Sequence, residues 1–443
     1  MCYVGTIQIQ DIIYQYRLSN FELYIFNYEA PFIKWKPIIE IIKDDWIVLR
    51  DNMGIDIYAK LDNARLTSAF EYKFDVLAIV VCASGACKGI DKGELKFNEM
   101  CIQSDILDCF FRHDKTYRRE MLEMLAGEFQ IEELPKFEKR EEFRFVLDKV
   151  EYNCKFTTIS QGYEKDSING FRNALMISSN EIDDVEKAWK IMKTVKKFIQ
   201  FISQSSAVTF VNPVRMVQSG NYDDVNIYMN VRPDENATIR KELVIEYDEI
   251  KDGLGKLFEM FYQDEICNRS LFICDSQKIT YMDIMNICAA FEAQFRESYG
   301  KKKYKIQKQE DVKNKLVKFI EKHKTELIST NEEEAYSDIM QGLKNVTETL
   351  QARIQQSLDE LESDYGKERI KARFMVNYEN MPCRIKNSRN AMDHGSKNYK
   401  LSYNEYLDSE LLRAIVYMLA LKKAGIVDKN KLISVIDKIS YNR

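Results

Sequence analysis

The period of the hydrophobic pattern changes once along this chain, and no other feature constrains the fold as much. Up to about residue 232 apolar and polar residues alternate in short runs rich in aromatic and β-branched side chains, the pattern of half-buried strands. Residues 3–10, 21–27, 46–50, 55–61, 72–82 and 94–104 read this way, many separated by Asn, Asp or Gly. Residues 143–160, 174–179, 207–217 and 225–232 continue the series. Two helices are expected among them. One carries Val185, Ala188, Trp189, Met192, Val195, Ile199 and Ile202 at helical spacing after Asp183-Asp184, and a shorter one covers residues 117–129.

Past a composition shift at residues 233–238 the apolar residues recur every three or four positions, as on amphipathic helices. Ile250, Leu254, Leu257, Phe258 and Phe261 form one stripe, and a second helix starts at Thr280, which with Asp283 approximates a capping box, and stops near Gly300. A third carries Val312, Leu316, Phe319, Ile320 and Leu327, and a fourth is expected over residues 332–363, long enough to pair with a partner helix. Another begins near Asn380, accepts Pro382 in its first turn and ends at His394 before Gly395. Two more follow, one with Leu407, Leu411, Leu412, Ile415, Val416 and Leu419, the last capped by Asp428. The expected architecture is α+β: a β-rich N-terminal domain over residues 1–238, a sandwich or barrel with helical insertions, then an all-α bundle over residues 239–443.

Composition removes several function classes. No basic segment followed by an apolar one opens the chain, and the longest apolar run, residues 76–83, is too short to span a bilayer, so a cytoplasmic protein with no membrane association is expected. Ten cysteines fall at irregular spacing with no Cys-x-x-Cys, which suits free thiols in a reducing compartment and speaks against a zinc site. No phosphate loop, His-Glu-x-x-His pair, nucleophile elbow or Rossmann fingerprint is present, and neither a cofactor nor a metal is expected. A net charge of −5 argues against indiscriminate nucleic-acid binding by the whole surface. Residues 367–400 are the exception, with nine Lys or Arg against Glu368, Glu379 and Asp393.

Inside that basic segment lies Arg389-Asn390-Ala391-Met392-Asp393-His394-Gly395. An imidazole moves protons near neutral pH, and a guanidinium presents a fork of donors that matches a phosphate, so Arg389 and His394 together suit phosphodiester cleavage. Asn390 and His394, four residues apart, share a face, so the amide is placed to orient the imidazole or hold a phosphate oxygen. Five residues advance a straight helix by about 140° and about 7.5 Å, which keeps Arg389 and His394 of one helix from converging on one phosphate; two helices crossing about a twofold axis would reunite them. On the second helix Glu292 interrupts the apolar stripe of Tyr281, Ile284, Met285, Cys288 and Phe295 and is expected to meet Arg389 or a group near it. His113 and His323 are assigned no role.

The motif resembles the signature of the HEPN superfamily of helical ribonucleases. Ala290-Phe291-Glu292-Ala293-Gln294-Phe295-Arg296 resembles the acidic helix that precedes the catalytic one in these domains. With a strand-rich N-terminal half containing Phe74-Asp75-Val76-Leu77-Ala78-Ile79, the order of parts is similar to that of the ApeA family of bacterial antiphage defence proteins. The resemblance implies an abortive-infection protein whose C-terminal domain cuts cellular RNA, tRNA among the possible substrates, without a metal, as a homodimer or larger homo-oligomer joined through the helical domain. It also implies an N-terminal domain that senses a phage-derived trigger or restrains the nuclease. In this family Arg389, His394, Asn390 and Glu292 would be the catalytic set. Asp393 departs from relatives that carry a small or apolar residue before the histidine. Two other classes remain open: a non-catalytic RNA-binding or signalling scaffold that dimerises through the helical domain, and the toxin of a toxin-antitoxin pair.

Overall fold

The computed structural model describes residues 2–9, 12–26, 46–68, 71–82, 96–111, 142–160, 171–206, 208, 210, 214–218, 221–230, 240–267, 271, 280–299, 307–327, 332–344, 349–374, 377–393 and 401–440. The chain forms two compact units, Met1–Asp264 and Glu265–Arg443.

In the first unit six strands close a barrel. β1 (Cys2–Ile9), β2 (Ile12–Ser19) and β3 (Glu22–Phe26) form a meander, β4 (Trp46–Asp51) pairs with β1, β5 (Asp56–Ser68) with β4, and β6 (Glu71–Cys82) with both β5 and β3. Closure takes place where β1 and β4 meet, at Gly5 opposite Asp51 and Thr6 opposite Arg50. A Cβ on Gly5 would lie 2.0 Å from the Arg50 carbonyl oxygen, so only glycine permits that approach. The lumen is filled by inward-facing residues of every strand, among them Ile7, Tyr14, Leu23, Leu49, Ile57 and Phe74, so the barrel is a packed core.

The strand over residues 12–19 was not among those expected from sequence. It follows β1 without a glycine or proline, and the β2–β3 turn is built from Asn20 and Phe21, with φ of 51° and 59°, where an Asn-Gly pair is the usual marker. Residues 143–160 form two strands, β8 (Glu142–Leu147) and β9 (Val150–Ser160), joined by a tight turn at Asp148 and Lys149.

β6 leaves the barrel halfway along. Residues 71–75 pair with β3, whereas residues 78–82 pair with β12 (Asn221–Met229) and so start a second sheet, in the order β6, β12, β11 (Val214–Gln218), β7 (Lys96–Gln103), β10 (Phe171–Asp184), β9 and β8. The bulges that β5 makes opposite β6 supply the bend such a strand needs. Against the second sheet pack α1 (Asp105–Phe110), α2 (Val185–Ser203) and α3 (Leu254–Tyr262), through an aromatic cluster in which Phe198 and Phe258 have ring centroids 4.7 Å apart. Gly255 of α3 lets the helix backbone rest on Arg144 of β8. The stripe of residues 250–261 therefore packs in the first unit, and the two compact units divide at residue 264, whereas the composition shift lies near residue 238. The expected helix over residues 117–129 lies outside the described residues.

The second unit is helical. Its centre is α10 (Tyr403–Lys423), buried on every side from Leu407 to Leu421. Around it pack α4 (Tyr281–Tyr299), α7 (Leu350–Tyr365), α8 (Lys367–Phe374), α9 (Met381–Asp393) and α11 (Lys429–Ser440). Each buried Leu, Ile or Val on α10 contributes about 1.5–3 kcal/mol. Arg413 is enclosed within this core and donates to Glu410 and to the Ile439 carbonyl, both at 2.8 Å. α5 (Gln307–Lys322) and α6 (Glu333–Lys344) pack on one another. Two expectations are corrected here. The single helix over residues 332–363 is two helices, α6 and α7, the second capped by Thr349, whose hydroxyl accepts from the Ala352 amide. The stripe of Val312, Leu316 and Phe319 does not face the core: it is exposed. Among the described residues no helix is long and apolar enough to cross a membrane.

Candidate active site

α9 carries different side chains on its different sides. Met381, Ile385 and Ser388, four and three residues apart, form its buried seam, while Cys383, Asn387 and Asn390 lie on the exposed side. Arg389 sits at the edge of the seam. Its Nη1 donates to Glu292 Oε1 on α4 at 2.7 Å, with the two side chains 32% and 22% exposed. The expected contact is formed, between residues 97 positions apart. Thr280 and Asp283 exchange the hydrogen bonds of a capping box at the start of α4, which fixes the first turn of the helix that carries Glu292.

A second set of contacts, not read from the sequence, holds α9 to the start of α10. Arg384 makes a fork to Asp408, Nε to Oδ2 at 2.7 Å and Nη2 to Oδ1 at 2.6 Å. One turn on, the Ser388 hydroxyl lies within hydrogen-bond reach of the Arg384 carbonyl and of Glu405. The other oxygen of Glu405 accepts from the Ser402 amide at 2.7 Å, closing the capping box of α10. Burial pushes the Asp408 carboxyl above its ordinary range, and the Arg384 guanidinium beside it pulls the other way. The available signal was Asp408 itself, a carboxylate between Leu407 and Leu411 of an apolar stripe, together with the Ser402-x-x-Glu405 pattern.

Asn390 is exposed on α9 and close to the bound Arg389. α9 is described as far as Asp393, and its expected end at His394 lies outside the described residues. His394 and Gly395 lie outside the described residues, as does His113. His323 lies 2.8 Å from Glu326 and against the Phe319 ring, at the end of the exposed stripe. Among the described residues no group of His, Cys, Asp or Glu is arranged to hold a metal ion.

A helical bundle that presents an arginine, ion-paired to a glutamate of a neighbouring helix, at the start of an Arg-x-x-x-x-His pattern has the parts of a HEPN domain. Residues 285–430, from the second turn of α4 to the first of α11, match the family described as Apea-like HEPN, and the chain carries an Apea-like HEPN domain over that span. Glu292, Arg389, Asn390 and His394 all fall inside it. No curated protein and no solved structure matches the chain.

Proposed function

We propose that this protein is a metal-independent endoribonuclease acting in antiphage defence, cleaving cellular RNA after infection is sensed. The observation that carries the reading is the Arg389–Glu292 pair on α9 and α4, within the span that matches the Apea-like HEPN family. In the proposed reaction the ribose 2′-hydroxyl loses its proton to a general base, and its oxygen attacks the adjacent phosphorus. The bond to the 5′-oxygen then breaks as that oxygen gains a proton, leaving a 2′,3′-cyclic phosphate and a 5′-hydroxyl. His394 serves as the base or the acid, Arg389 stabilises the charge that builds on the phosphorane, and Asn390 and Glu292 orient them. DNA lacks the attacking hydroxyl and is not a substrate.

Glu292 suits a positioning role because a carboxylate that fixes a guanidinium also limits its rotamers before RNA arrives. The active unit is a homodimer or larger homo-oligomer joined through the helical unit, and the barrel unit receives a phage-derived trigger or restrains the nuclease. Sequencing of RNA ends from cells expressing the wild type and His394→Ala tests the reading. New 5′-hydroxyl ends confined to the wild type are expected. Equal ends from a well-folded His394→Ala protein would remove the nuclease assignment.

A further inference from the structure

α5 and α6 form a hairpin: Lys324, just past the end of α5, pairs at 3.3 Å with Glu333, which opens α6, so the two helices run antiparallel. The two helices pack on one another, and Val317 and Ile320 of α5 and Tyr336, Met340 and Leu343 of α6 are wholly or partly buried, which marks the inner face of each. About 90° around α5 from that contact lies a second apolar face, Val312, Leu316 and Phe319, at spacings of four and three residues. These side chains are 57%, 46% and 59% exposed. About 90° around α6 from its own inner face lies an exposed seam of Ala335, Ile339 and Gly342, with Ile339 60% exposed and open space where a Cβ on Gly342 would stand. Two filled faces about 90° apart are what each helix of an antiparallel four-helix bundle presents to its neighbours. Here one face of each helix is filled within the chain.

The unfilled faces complement each other. That of α5 is bulky and flanked by the exposed Lys315 and Lys322; that of α6 is small and flanked by the exposed Glu334 and Asp338. Two α5 faces would set lysine against lysine, whereas α5 on α6 brings cation to carboxylate and seats Val312 over the Gly342 gap and Phe319 over Ala335. In an antiparallel helix pair equivalent flanking positions face each other, which puts Lys315 opposite Asp338 and Lys322 opposite Glu334. A twofold axis parallel to the helices makes this contact twice.

We infer that the α5–α6 hairpin is a self-association surface whose occupant is the hairpin of a second copy of this chain, completing a four-helix bundle. None of its residues lies on α4, α9 or α10; the inference gives a surface to the proposed self-association through the helical unit and does not rest on the nuclease chemistry. The experiment is sedimentation of the full chain at micromolar concentration with two charge-reversed variants, Lys315→Glu with Lys322→Glu, and Glu334→Lys with Asp338→Lys. Each variant alone sets like charges at both contacts and is expected to sediment at half the wild-type mass with unchanged helical content. An equimolar mixture restores opposite charges at both contacts and is expected to recover the wild-type mass. A monomeric wild type, variants that keep the wild-type mass, or a mixture that stays at half mass would each overturn the inference.

Discussion

Replacing Glu292 by Gln keeps the size of the side chain and one acceptor for Arg389 while removing the charge. The full attraction between unit charges about 4 Å apart, at an effective dielectric constant of about 20, is about 4 kcal/mol. Both partners retain exposure, 32% for Arg389 and 22% for Glu292, so screening and desolvation cut this to a coupling of about 1 kcal/mol. For a helical unit of this size that lowers Tm by about 2–4 °C. The catalytic effect follows from lost orientation: Glu292→Gln should lower the single-turnover rate about tenfold with RNA affinity little changed, and Arg389→Ala should lower it about 10²–10³-fold. The assay is a double-mutant cycle with rate and Tm measured on every member. If Glu292 acts through Arg389, Glu292→Gln costs nothing further once Arg389 is alanine. Multiplicative loss of rate in the double variant would refute this, because Glu292 would then act on the reaction by another route.

Cleavage should persist in EDTA and leave 2′,3′-cyclic phosphate ends, detected by a resistance to polyadenylation that phosphatase alone does not relieve and that acid opening of the cyclic diester followed by phosphatase does; strict Mg²⁺ dependence or equal cutting of DNA would exclude the proposed chemistry. Asp408→Ala strands the Arg384 guanidinium and should destabilise the helical unit by about 3 kcal/mol in chemical denaturation, more than Arg384→Met, which removes the charge with its partner still able to protonate. Burial pushes the Tyr378 hydroxyl, in the turn that leads into α9, up to about 12. Because the folded value lies above the unfolded value of about 10, this stabilising contribution is complete below pH 10 and is lost as the pH rises toward 12. Melting scans from pH 8 to 11 should therefore show a steeper alkaline fall in Tm for the wild type than for Tyr378→Phe.

What could be read from sequence was what a local pattern dictates. The change of period separated strands from helices, and Glu292 on the stripe of α4 announced a partner because a carboxylate on an apolar face must be compensated. Residues 12–19 went unread because Asn20 and Phe21 make a turn with positive φ without the glycine that normally signals it. The Arg384–Asp408 fork joins residues 24 positions apart and depends on how α9 crosses α10, which neither helix encodes alone. The stripe of Val312, Leu316 and Phe319 shows the opposite failure. Its spacing gave the right helix and the right face, but periodicity says only that a face is apolar and is silent on whether the same chain covers it. The barrel was legible as alternation, whereas its closure depends on the register of β3 on β6 and the Gly5 contact, both non-local.

The spacing of Arg389 and His394 bears on how many chains build one catalytic site. On a straight helix running through His394 the side chains of Arg389 and His394 diverge by about 140°, and a second copy is what would reunite them. Arg389, for its part, is oriented by a glutamate of its own chain. Subunit mixing separates the two cases. Co-expressed Arg389→Ala and His394→Ala chains that pair at random give mixed dimers in about half the population. If Arg389 of one subunit serves with His394 of the other, a mixed dimer holds one intact site and one doubly defective site, so activity should return to about a quarter of wild type. If each chain contributes both residues to its own site, the mixed dimers stay as inactive as the parent variants. Recovery is expected, and its absence in a preparation shown by mass to contain mixed dimers would refute the composite site while leaving the chemistry of His394 and Arg389 untouched.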